Sequence, residues 1–327
     1  MRKISLLIGA ALAALGAGAL GTSASAQDKA SLRLNWYLGG LHAPFYLGVA
    51  RGYYAAEKID LEIQEGRGSP NTVQIVAAGS ATFGMADAGS LMLLASKGAE
   101  VQAVMSLLNT SGFGVISLAE TGIKTPKDLE GKTLAITAGD ALTQLFPALA
   151  KYNKLDMSKI KLLQVDPASK VVVVLEKRAH ALLGGIDDQY FLIEAKGQKP
   201  SALRFADHGA NTVGITVLAA AATIKDKSDL VRRFVRASVK SWDEAVKNPD
   251  AAIDAALKTK PDLNRESTKK QLLADIALLH SPGTKGKTVG YGDEAEWKAT
   301  QDLLKEYRGL QTTQPPGAYY TNAFLPK

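Results

Sequence analysis

Short apolar runs alternate with amphipathic stretches through the first two thirds of the chain. This alternation predicts strands separated by helices, which is typical of α/β units built around largely parallel sheets. Ten runs of four to seven residues have the composition of strands. They are Leu32–Trp36, Asp60–Gln64, Phe83–Ala86, Val101–Leu107, Val115–Leu118, Thr133–Thr137, Lys161–Val165, Ala181–Gly185, Leu203–Ala206 and Gly214–Ala219.

Helix boundaries are readable between several of these strands. The segment GSPNTVQIVAAG predicts a helix with Ser69 as N-cap, Pro70 at the first helical position and Gly79 as the left-handed stop. The segment that begins at Asp166 and Pro167 repeats the same start signal. Its four consecutive valines favour a strand by propensity, but the start signal leads us to predict a helix there.

The pattern changes character after about residue 220. From Ser228 onward, apolar residues recur at three- and four-residue steps up to Val246 and predict one long amphipathic helix. Further helices are predicted around Ala251–Leu257, Ser267–Leu279 and Asp293–Tyr307, and no strand pattern follows. A late helical segment is therefore expected to pack back onto the earlier sheets.

The N-terminus predicts export. Arg2 and Lys3 precede the apolar run Ile4–Gly21, and a small-x-small site ends at Ala26, so residues 1–26 are expected to be a cleaved signal peptide. An uncleaved membrane anchor is the alternative, because about 18 apolar residues are marginally enough to span a bilayer. Cleavage would place the protein free in the periplasm, since a chain without cysteine cannot carry a lipoprotein anchor.

Length and charge set further bounds. Removing 26 of the 327 residues leaves 301, enough for two domains. Losing Arg2 and Lys3 lowers the formal net charge from +7 to +5, and the remaining basic residues are spread beside nearly as many acids. This distribution aids solubility and is not the footprint of a nucleic-acid-binding protein.

Several reaction classes lack their motifs in this sequence. The four histidines are not spaced as helical zinc ligands, and no cysteine can complete a zinc site. Neither GKT sequence has the preceding glycine of a P-loop, no G-x-S-x-G motif is found, and no G-x-G-x-x-G motif follows a predicted strand. A standard hydrolase, kinase or dehydrogenase is not expected, and neither a metal nor a cofactor is predicted.

Ligands of open α/β sheets gather where strands end and helices begin, and five such turns here carry notable residues. In the stretch LNWYLGGLHAPFY, residues 34–46, two aromatic residues precede a glycine pair and a lone histidine follows it. The turn GRGSPN offers backbone N–H groups at a helix start, which suit a negative or carbonyl group. The candidate ligand-binding residues from the five turns are Trp36, Tyr37, His42, Gly68, Ser69, Asn71, Asp87, Ser90, Asp140, Asp187 and Asp188.

The aromatic candidates also have a structural interpretation. Trp36 taken alone is equally suited to the core. The adjacent Tyr37 and the flexible pair Gly39–Gly40 leave rings beside open backbone, which favours stacking on a planar ligand. His42 is more simply a structural hydrogen-bonding residue near the start of a helix.

The polar candidates have similar alternatives. Ser69 and Asp140 are most simply N-caps, and Asp87 ends a strand where a turn residue is expected. Asp187 and Asp188 follow the apolar run ALLGGI directly, where a cleft is expected. A buried acid needs partners, and a ligand amino group or ring N–H would supply one; both acids could instead be solvated on a turn.

The sequence resembles a known family. The stretches HAPFYLGVARGYYAAEKIDLEI, VAAGSATFGMAD and TPKDLEGKTLAI resemble periplasmic solute-binding proteins of the nitrate/sulfonate/taurine transport group. The stretches LRFADHGANTVGITVLAA and YYTNAFLP are similar to the branch of that group related to thiamine-pyrimidine precursor binding and synthesis, the NMT1/THI5-like family.

The resemblance implies a fold. It is the type II periplasmic binding fold, in which two α/β lobes are joined by two crossover segments and the ligand lies in the cleft between them. Residues 27–112 and 213–327 would form lobe 1, which includes the helical tail, and residues 113–212 would form lobe 2. The crossings are expected near Thr110–Val115 and Ala210–Thr216.

The resemblance also implies a role. It is that of a monomeric extracytoplasmic receptor that delivers a small-molecule solute to the membrane permease of an ABC importer, with no nucleic-acid partner. In pyrimidine-binding relatives, aromatic side chains sandwich the ring and an acid of the second lobe takes its amino group. Trp36 and Tyr37 match the first role by position, and Asp187 or Asp188 matches the second approximately. The expected solute is small and planar or partly apolar.

Two other functions stay open at this stage. One is a receptor for a sulfonate, nitrate or carboxylate that uses the N–H groups at 68–71 and the nearby Arg67. The acids at 140, 187 and 188 argue against an anion, whereas the +5 charge mildly favours one. The other is an enzyme similar to the family's eukaryotic pyrimidine synthases, which use a histidine and a cysteine-rich iron run. His42 lies near the expected histidine, but the chain has no cysteine, so no enzyme is predicted.

Overall fold

The strands form two five-stranded sheets in the computed structural model, which describes residues 27–327. The predicted signal peptide, residues 1–26, lies outside the described residues. The first sheet has the strand order β2-β1-β3-β10-β4 and the second has the order β7-β6-β8-β5-β9. The strands are β1 (Asp28–Arg33), β2 (Ile59–Gln64), β3 (Phe83–Asp87), β4 (Val101–Ser106), β5 (Phe113–Leu118), β6 (Thr133–Ile136), β7 (Lys161–Gln164), β8 (Ala181–Gly185), β9 (Pro200–Arg204) and β10 (Ile215–Ala220).

Twelve α-helices connect and cover these sheets within the described residues. None of them is long and apolar enough to cross a membrane. They are α1 (Ala43–Ala50), α2 (Tyr53–Ala56), α3 (Ser69–Ala77), α4 (Ala88–Ala95), α5 (Ala141–Tyr152), α6 (Lys170–Leu175), α7 (Gln189–Glu194), α8 (Ala221–Asp226), α9 (Ser228–Lys247), α10 (Pro249–Thr259), α11 (Arg265–Leu278) and α12 (Glu294–Arg308).

The two sheets share one pattern. In each sheet four strands run parallel, and one strand is inserted antiparallel between two of them, namely β10 in the first sheet and β5 in the second. Each inserted strand is the first one after the chain crosses between the sheets. The chain passes to the second sheet between Ser106 and Phe113 and returns between Arg204 and Ile215. This is the two-lobed arrangement that the resemblance implies. The predicted lobe limits at 112 and 212 fall in these intervals, and their exact position stays a prediction.

All ten predicted strands form, with ends displaced by a few residues. The largest effect on the cleft is at β1, which ends at Arg33 rather than continuing to Trp36. The carbonyl groups of Asn35 and Trp36 turn aside to accept the N–H groups of Gly68 and Gly66, at 2.8 and 3.0 Å. This releases the aromatic turn from the sheet.

The predicted helices form as well. The four valines of α6 are helical after a first 3-10 turn that starts at Pro167. The prediction that Ser69 is the N-cap of α3 was wrong. Gly68 holds that position with a φ of 123°, a conformation that favours glycine, and Ser69 is the first helical residue.

The helical tail completes the first lobe and touches the second. The apolar stripe of α9 buries Phe234 against Phe83 of β3, with ring centroids 3.8 Å apart, and Trp242 is also fully buried. Beyond α9, helix α11 contacts α7, and α12 contacts α5. The tail thus reaches both sides of the cleft.

Candidate functional site

A cavity of about 90 Å³ lies between the two sheets and is lined by residues of both lobes. Its walls come from the turn after β1, the start of α3, the crossover segments, the turns after β6 and β8, and helix α11. Eight of the eleven candidate residues from the sequence meet here. They are Trp36, Tyr37, His42, Gly68, Ser69, Asp140, Asp187 and Asp188.

The aromatic turn presents two partly exposed rings to the cavity. The ring centroids of Trp36 and Tyr37 are 5.5 Å apart, and the ring planes are inclined by 60°. Because the planes are tilted, a planar solute can stack on the face of only one ring and meets the other at an angle. In this geometry the two rings do not face each other as a sandwich, and stacking of a solute on either ring stays a prediction.

His42 stands at the end of the same turn with both ring nitrogens engaged. The N–H of Gly39 donates to Nδ1 at 3.1 Å, so the proton resides on Nε2, which donates to Oδ1 of Asn35 at 3.0 Å. Burial lowers the pKa of His42 to about 3, so the ring is neutral at physiological pH. His42 fixes the turn, as its structural interpretation anticipated, and holds the side chain of Asn35 in the cavity wall.

The start of α3 is used chiefly to hold the fold together. The hydroxyl oxygen of Ser69 accepts the N–H of Asp87 at 3.1 Å. The N–H of Gly68 is taken by the carbonyl of Asn35, and Pro70 has no N–H to offer. Of the N–H donors expected for an anion at this helix start, that of Gly68 is therefore not available to a ligand.

Asp140 forms the only ion pair among the charged residues that line the cavity. One carboxylate oxygen caps α5 by accepting the N–H of Thr143 at 2.7 Å, which confirms the predicted N-cap. The other accepts Nζ of Lys170 at 3.1 Å, and both side chains are almost fully buried. Lys170 also donates to the carbonyl of Leu183 at 2.9 Å and lies 5.2 Å from the ring centroid of Trp36. The charge of Asp140 is thus cancelled within the cavity wall.

A hydrogen-bonded chain joins the lobes through Gln271 of α11. The buried N–H of Gly40 donates to Oε1 of Gln271 at 3.0 Å, and Nε2 of Gln271 donates to Oδ1 of Asp188 at 2.9 Å. The approach requires glycine, because a Cβ on Gly40 would lie 2.3 Å from the backbone nitrogen of Leu272. Helix α11 therefore links the aromatic turn of the first lobe to an acid of the second.

Asp187, Asp188 and Asp275 bring three carboxyl groups to one end of the cavity. Asp275 extends from α11 and faces Asp187, within hydrogen-bonding reach if one of the two is protonated. Burial raises the pKa of Asp187 and, helped by the charge of Asp187, raises the pKa of Asp188 to about 7. Burial and the two neighbouring acids raise the pKa of Asp275 well above its ordinary value.

Three candidates do not reach this cavity. Asp87 and Ser90 are buried at the start of α4, where Oδ1 of Asp87 accepts the N–H of Ser90 at 2.8 Å. Asp87 is thus a structural N-cap, which agrees with its interpretation as a turn residue at the end of a strand. Asn71 is exposed and, with Arg67, lines a separate surface depression. Asn71 is the third residue of α3 and does not line the cavity.

The sequence reasoning missed the contribution of two helices. Lys170 lies within an apolar helix start, and no strand end marks it. Gln271 and Asp275 are four residues apart on α11, so they share one face, but their meeting with the turn after β8 depends on how the tail docks. The sequence does contain one sign of their role, because Gln271 and Asp275 are polar residues on the face of the predicted helix that is otherwise buried.

The chain is similar to named proteins along most of its length. A family model described as NMT1/THI5 like matches residues 40–252. The riboflavin-binding protein RibY of Chloroflexus aurantiacus is 27% identical over 295 residues, covering 87% of this chain and 82% of that protein. The formylaminopyrimidine-binding protein of Halalkalibacterium halodurans is 24% identical, covering 89% of this chain and 90% of that protein.

An enzyme and a solved structure are also similar. The 4-amino-5-hydroxymethyl-2-methylpyrimidine phosphate synthase of Legionella pneumophila is 22% identical, covering 92% of this chain and 94% of that protein. The alkanesulfonate-binding protein SsuA from Xanthomonas axonopodis pv. citri, solved with bound MOPS, superposes with a TM-score of 0.68 at 15% identity. That alignment covers 91% of this chain and 99% of the other, and it shows the shared two-lobed periplasmic binding fold.

Proposed function

Since the chain belongs to the NMT1/THI5-like family, we propose that it is the extracytoplasmic receptor of an ABC importer and clamps a small planar or partly apolar solute between its lobes. The solute would be pyrimidine-like or aromatic. After removal of residues 1–26 the receptor would act as a monomer in the periplasm and deliver its solute to a membrane permease.

The observation that carries this proposal is the composition of the cavity. One wall holds the partly exposed rings of Trp36 and Tyr37, and the opposite wall holds Asp187 and Asp188 of the second lobe. A flat solute could stack on one ring while its edge donates to a carboxyl group. Relatives named for riboflavin and formylaminopyrimidine binding support a nitrogen-containing planar ligand.

An anion receptor is less compatible with the same cavity. Arg67 is exposed outside the cavity, and Lys170 is already paired with Asp140. The remaining charged groups of the wall are carboxyls, and a carboxylate beside a bound anion costs energy unless it is protonated. A receptor for a sulfonate or carboxylate is therefore the second candidate function. The fold that this chain shares with SsuA is what keeps it under consideration.

An enzymatic function has little support from the residues present. The candidate histidine, His42, has both ring nitrogens engaged and a pKa lowered to about 3, so it is poorly suited to act as a base near neutral pH. The sequence contains no cysteine. Purified protein that turned over a pyrimidine precursor would nevertheless establish the synthase function over the receptor.

The test begins with the solute itself. Native mass spectrometry of gently purified protein should detect a bound small molecule, and small-angle scattering should show compaction when that molecule is returned to stripped protein. A ligand must favour the closed form by about 5.5 kcal/mol to shift it from 1:99 to 99:1. Scattering profiles that stayed identical across a broad metabolite library would refute a clamping receptor.

The stacking claim has its own measurement. In calorimetry, Trp36→Ala should weaken binding of the identified solute by at least about tenfold, because it removes a stacking face and buried apolar area. Tyr53→Ala, which removes an aromatic ring outside the cavity, is the matched control and should leave the affinity unchanged. Equal affinity in both variants would remove Trp36 from the site.

A further inference from the structure

The charged residues of the cavity wall do not balance. The charged side chains that line the cavity are Asp140, Lys170, Asp187, Asp188 and Asp275. Lys170 neutralises Asp140 at 3.1 Å, which leaves three carboxyl groups. Behind the wall, the guanidinium of Arg204 acts on Asp187, but it also donates to the carbonyl of Ser111 at 3.1 Å and lies 4.0 Å from Asp207. The wall therefore carries an excess of acid.

Asp275 is the least satisfied of these groups. Its side chain is 1% exposed, and apart from the facing carboxyl of Asp187 no group of residues 27–327 donates a hydrogen bond to its carboxyl oxygens. It comes from α11 of the first lobe, whereas Asp187 and Asp188 come from the turn after β8 of the second. A buried carboxyl that borders a cavity without a donor is an open position for a ligand donor.

We propose that Asp275 is a ligand-binding residue and that, with Asp187, it holds a cationic N–H-donating group of the solute, such as an amidinium or a protonated aminopyrimidine. This inference rests on the proposed receptor function and adds the charge class of the solute. A planar cation with N–H groups on two sides can donate to one carboxylate in each lobe, and such charge-assisted hydrogen bonds are the strong ones.

The same arrangement explains how a solute could close the lobes. Without a cation, closure brings Asp187 and Asp275 together only if one of them takes up a proton, and at neutral pH this uptake opposes closure. A bridging cation contacts both lobes only when they are closed, so its affinity differs between the open and closed forms. That difference is what a ligand needs to shift the equilibrium.

Three small probes of one shape separate the possibilities. Benzamidine is cationic, benzamide is its neutral counterpart, and benzoate is the anion. In calorimetry at pH 7.5 on stripped full-length mature protein, benzamidine should bind at least about tenfold more tightly than benzamide, and benzoate more weakly still. Asp275→Asn should reduce the affinity for benzamidine by about tenfold and change that for benzamide little.

The control is Asp243→Asn, which removes the carboxylate of an exposed aspartate of α9 that does not line the cavity. Its affinities should match those of the wild type. Asp275→Asn preserves shape, and its amide N–H can still donate to Asp187, so we expect it to fold. If it did not, the wild-type comparison of benzamidine with benzamide would decide.

Several results would overturn the inference without touching the receptor. Equal binding of benzamidine and benzamide, or tighter binding of benzoate, would refute a cation site. So would stabilisation by calcium or magnesium ions alone that equals the stabilisation by benzamidine. Failure of all three probes would also refute it, whereas a co-purified neutral solute and its compaction of the protein would still support the receptor proposal.

Discussion

Gln271 offers the sharpest test of how the two lobes are held together. Its Oε1 accepts the buried N–H of Gly40 within the first lobe, and its Nε2 donates to Asp188 of the second lobe, at 3.0 and 2.9 Å. Gln271→Glu keeps an acceptor for Gly40 but places a second carboxylate oxygen against Asp188. The substitution therefore spares the first lobe and reverses the contact between the lobes.

The expected size follows from these contacts. A hydrogen bond to a charged group contributes about 1.5–3 kcal/mol, which corresponds to about a 10- to 150-fold change in the closing equilibrium. At pH 7.5 we expect Gln271→Glu to weaken solute binding within that range and to give a more open scattering profile. The unfolding temperature of the first lobe should change little.

Acidification should reverse this effect. Because the pKa of Asp188 is raised to about 7, Asp188 carries its proton at pH 5 and can donate it to the introduced carboxylate. At pH 5 the affinity of the variant for the solute should therefore lie closer to the affinity of the wild type at the same pH than it does at pH 7.5. Binding by the variant that matched the wild type at pH 7.5 would refute the cross-lobe role of Gln271.

The neighbouring residue supplies a matched control. Lys270 forms an exposed ion pair across the same interface, with Nζ 2.9 Å from Oε2 of Glu194. Exposed pairs contribute about 0–1 kcal/mol. Lys270→Gln should consequently leave affinity and closure almost unchanged at both pH values.

Three further predictions concern other parts of the cleft. His42 takes up its proton near pH 6.5 when unfolded but only near pH 3 when folded, so its contribution to stability is present above pH 6.5 and is lost on acidification. Between pH 7.5 and pH 4.5 the free energy of unfolding in urea should therefore fall by about 3 kcal/mol less in His42→Gln than in the wild type. Equal decreases in the two proteins would contradict this. Gly112→Ala would place a Cβ 2.7 Å from Oδ1 of Asp187 and so displace that carboxyl group. Calorimetry should then show at least about tenfold weaker solute binding, while the circular dichroism spectrum stays unchanged. Unaltered affinity would remove Asp187 from the site. Lys170→Met leaves Asp140 buried and unpaired and should lower the free energy of unfolding by about 3–5 kcal/mol. Adding Asp140→Asn should restore part of the lost free energy. No recovery in the double variant would mean that Lys170 acts by packing alone.

Much of the fold is predictable because its signals are local. Runs such as Ala181–Gly185 are apolar over the length of a strand, and the three- and four-residue steps along α9 mark one buried face. Strand ends are less certain, because they depend on tertiary partners. The end of β1 is set by the glycines at 66 and 68, which are more than thirty residues farther along the chain.

The candidate site is only half visible in the sequence for the same reason. Turns after strands point to Trp36, Asp140 and Asp187 without any knowledge of packing. Gln271 and Asp275 reach the cavity only because α11 docks beside the turn that contains Gly40, and nothing in the spacing of a helical tail specifies that contact. Conversely, Asp87 occupies a proper strand end, but its carboxyl turns inward to cap α4.

The bond between Gly40 and Gln271 joins positions 231 residues apart, and this separation has a consequence for how the molecule matures. As the chain emerges N-terminus first, the second sheet can be assembled before the last quarter of the sequence exists, whereas the pocket lacks a wall until α11 arrives. Loops of this length form late and slowly. The protein thus becomes able to bind its solute only at the end of synthesis. A fragment truncated before residue 265 should retain ordered structure but should not bind the solute.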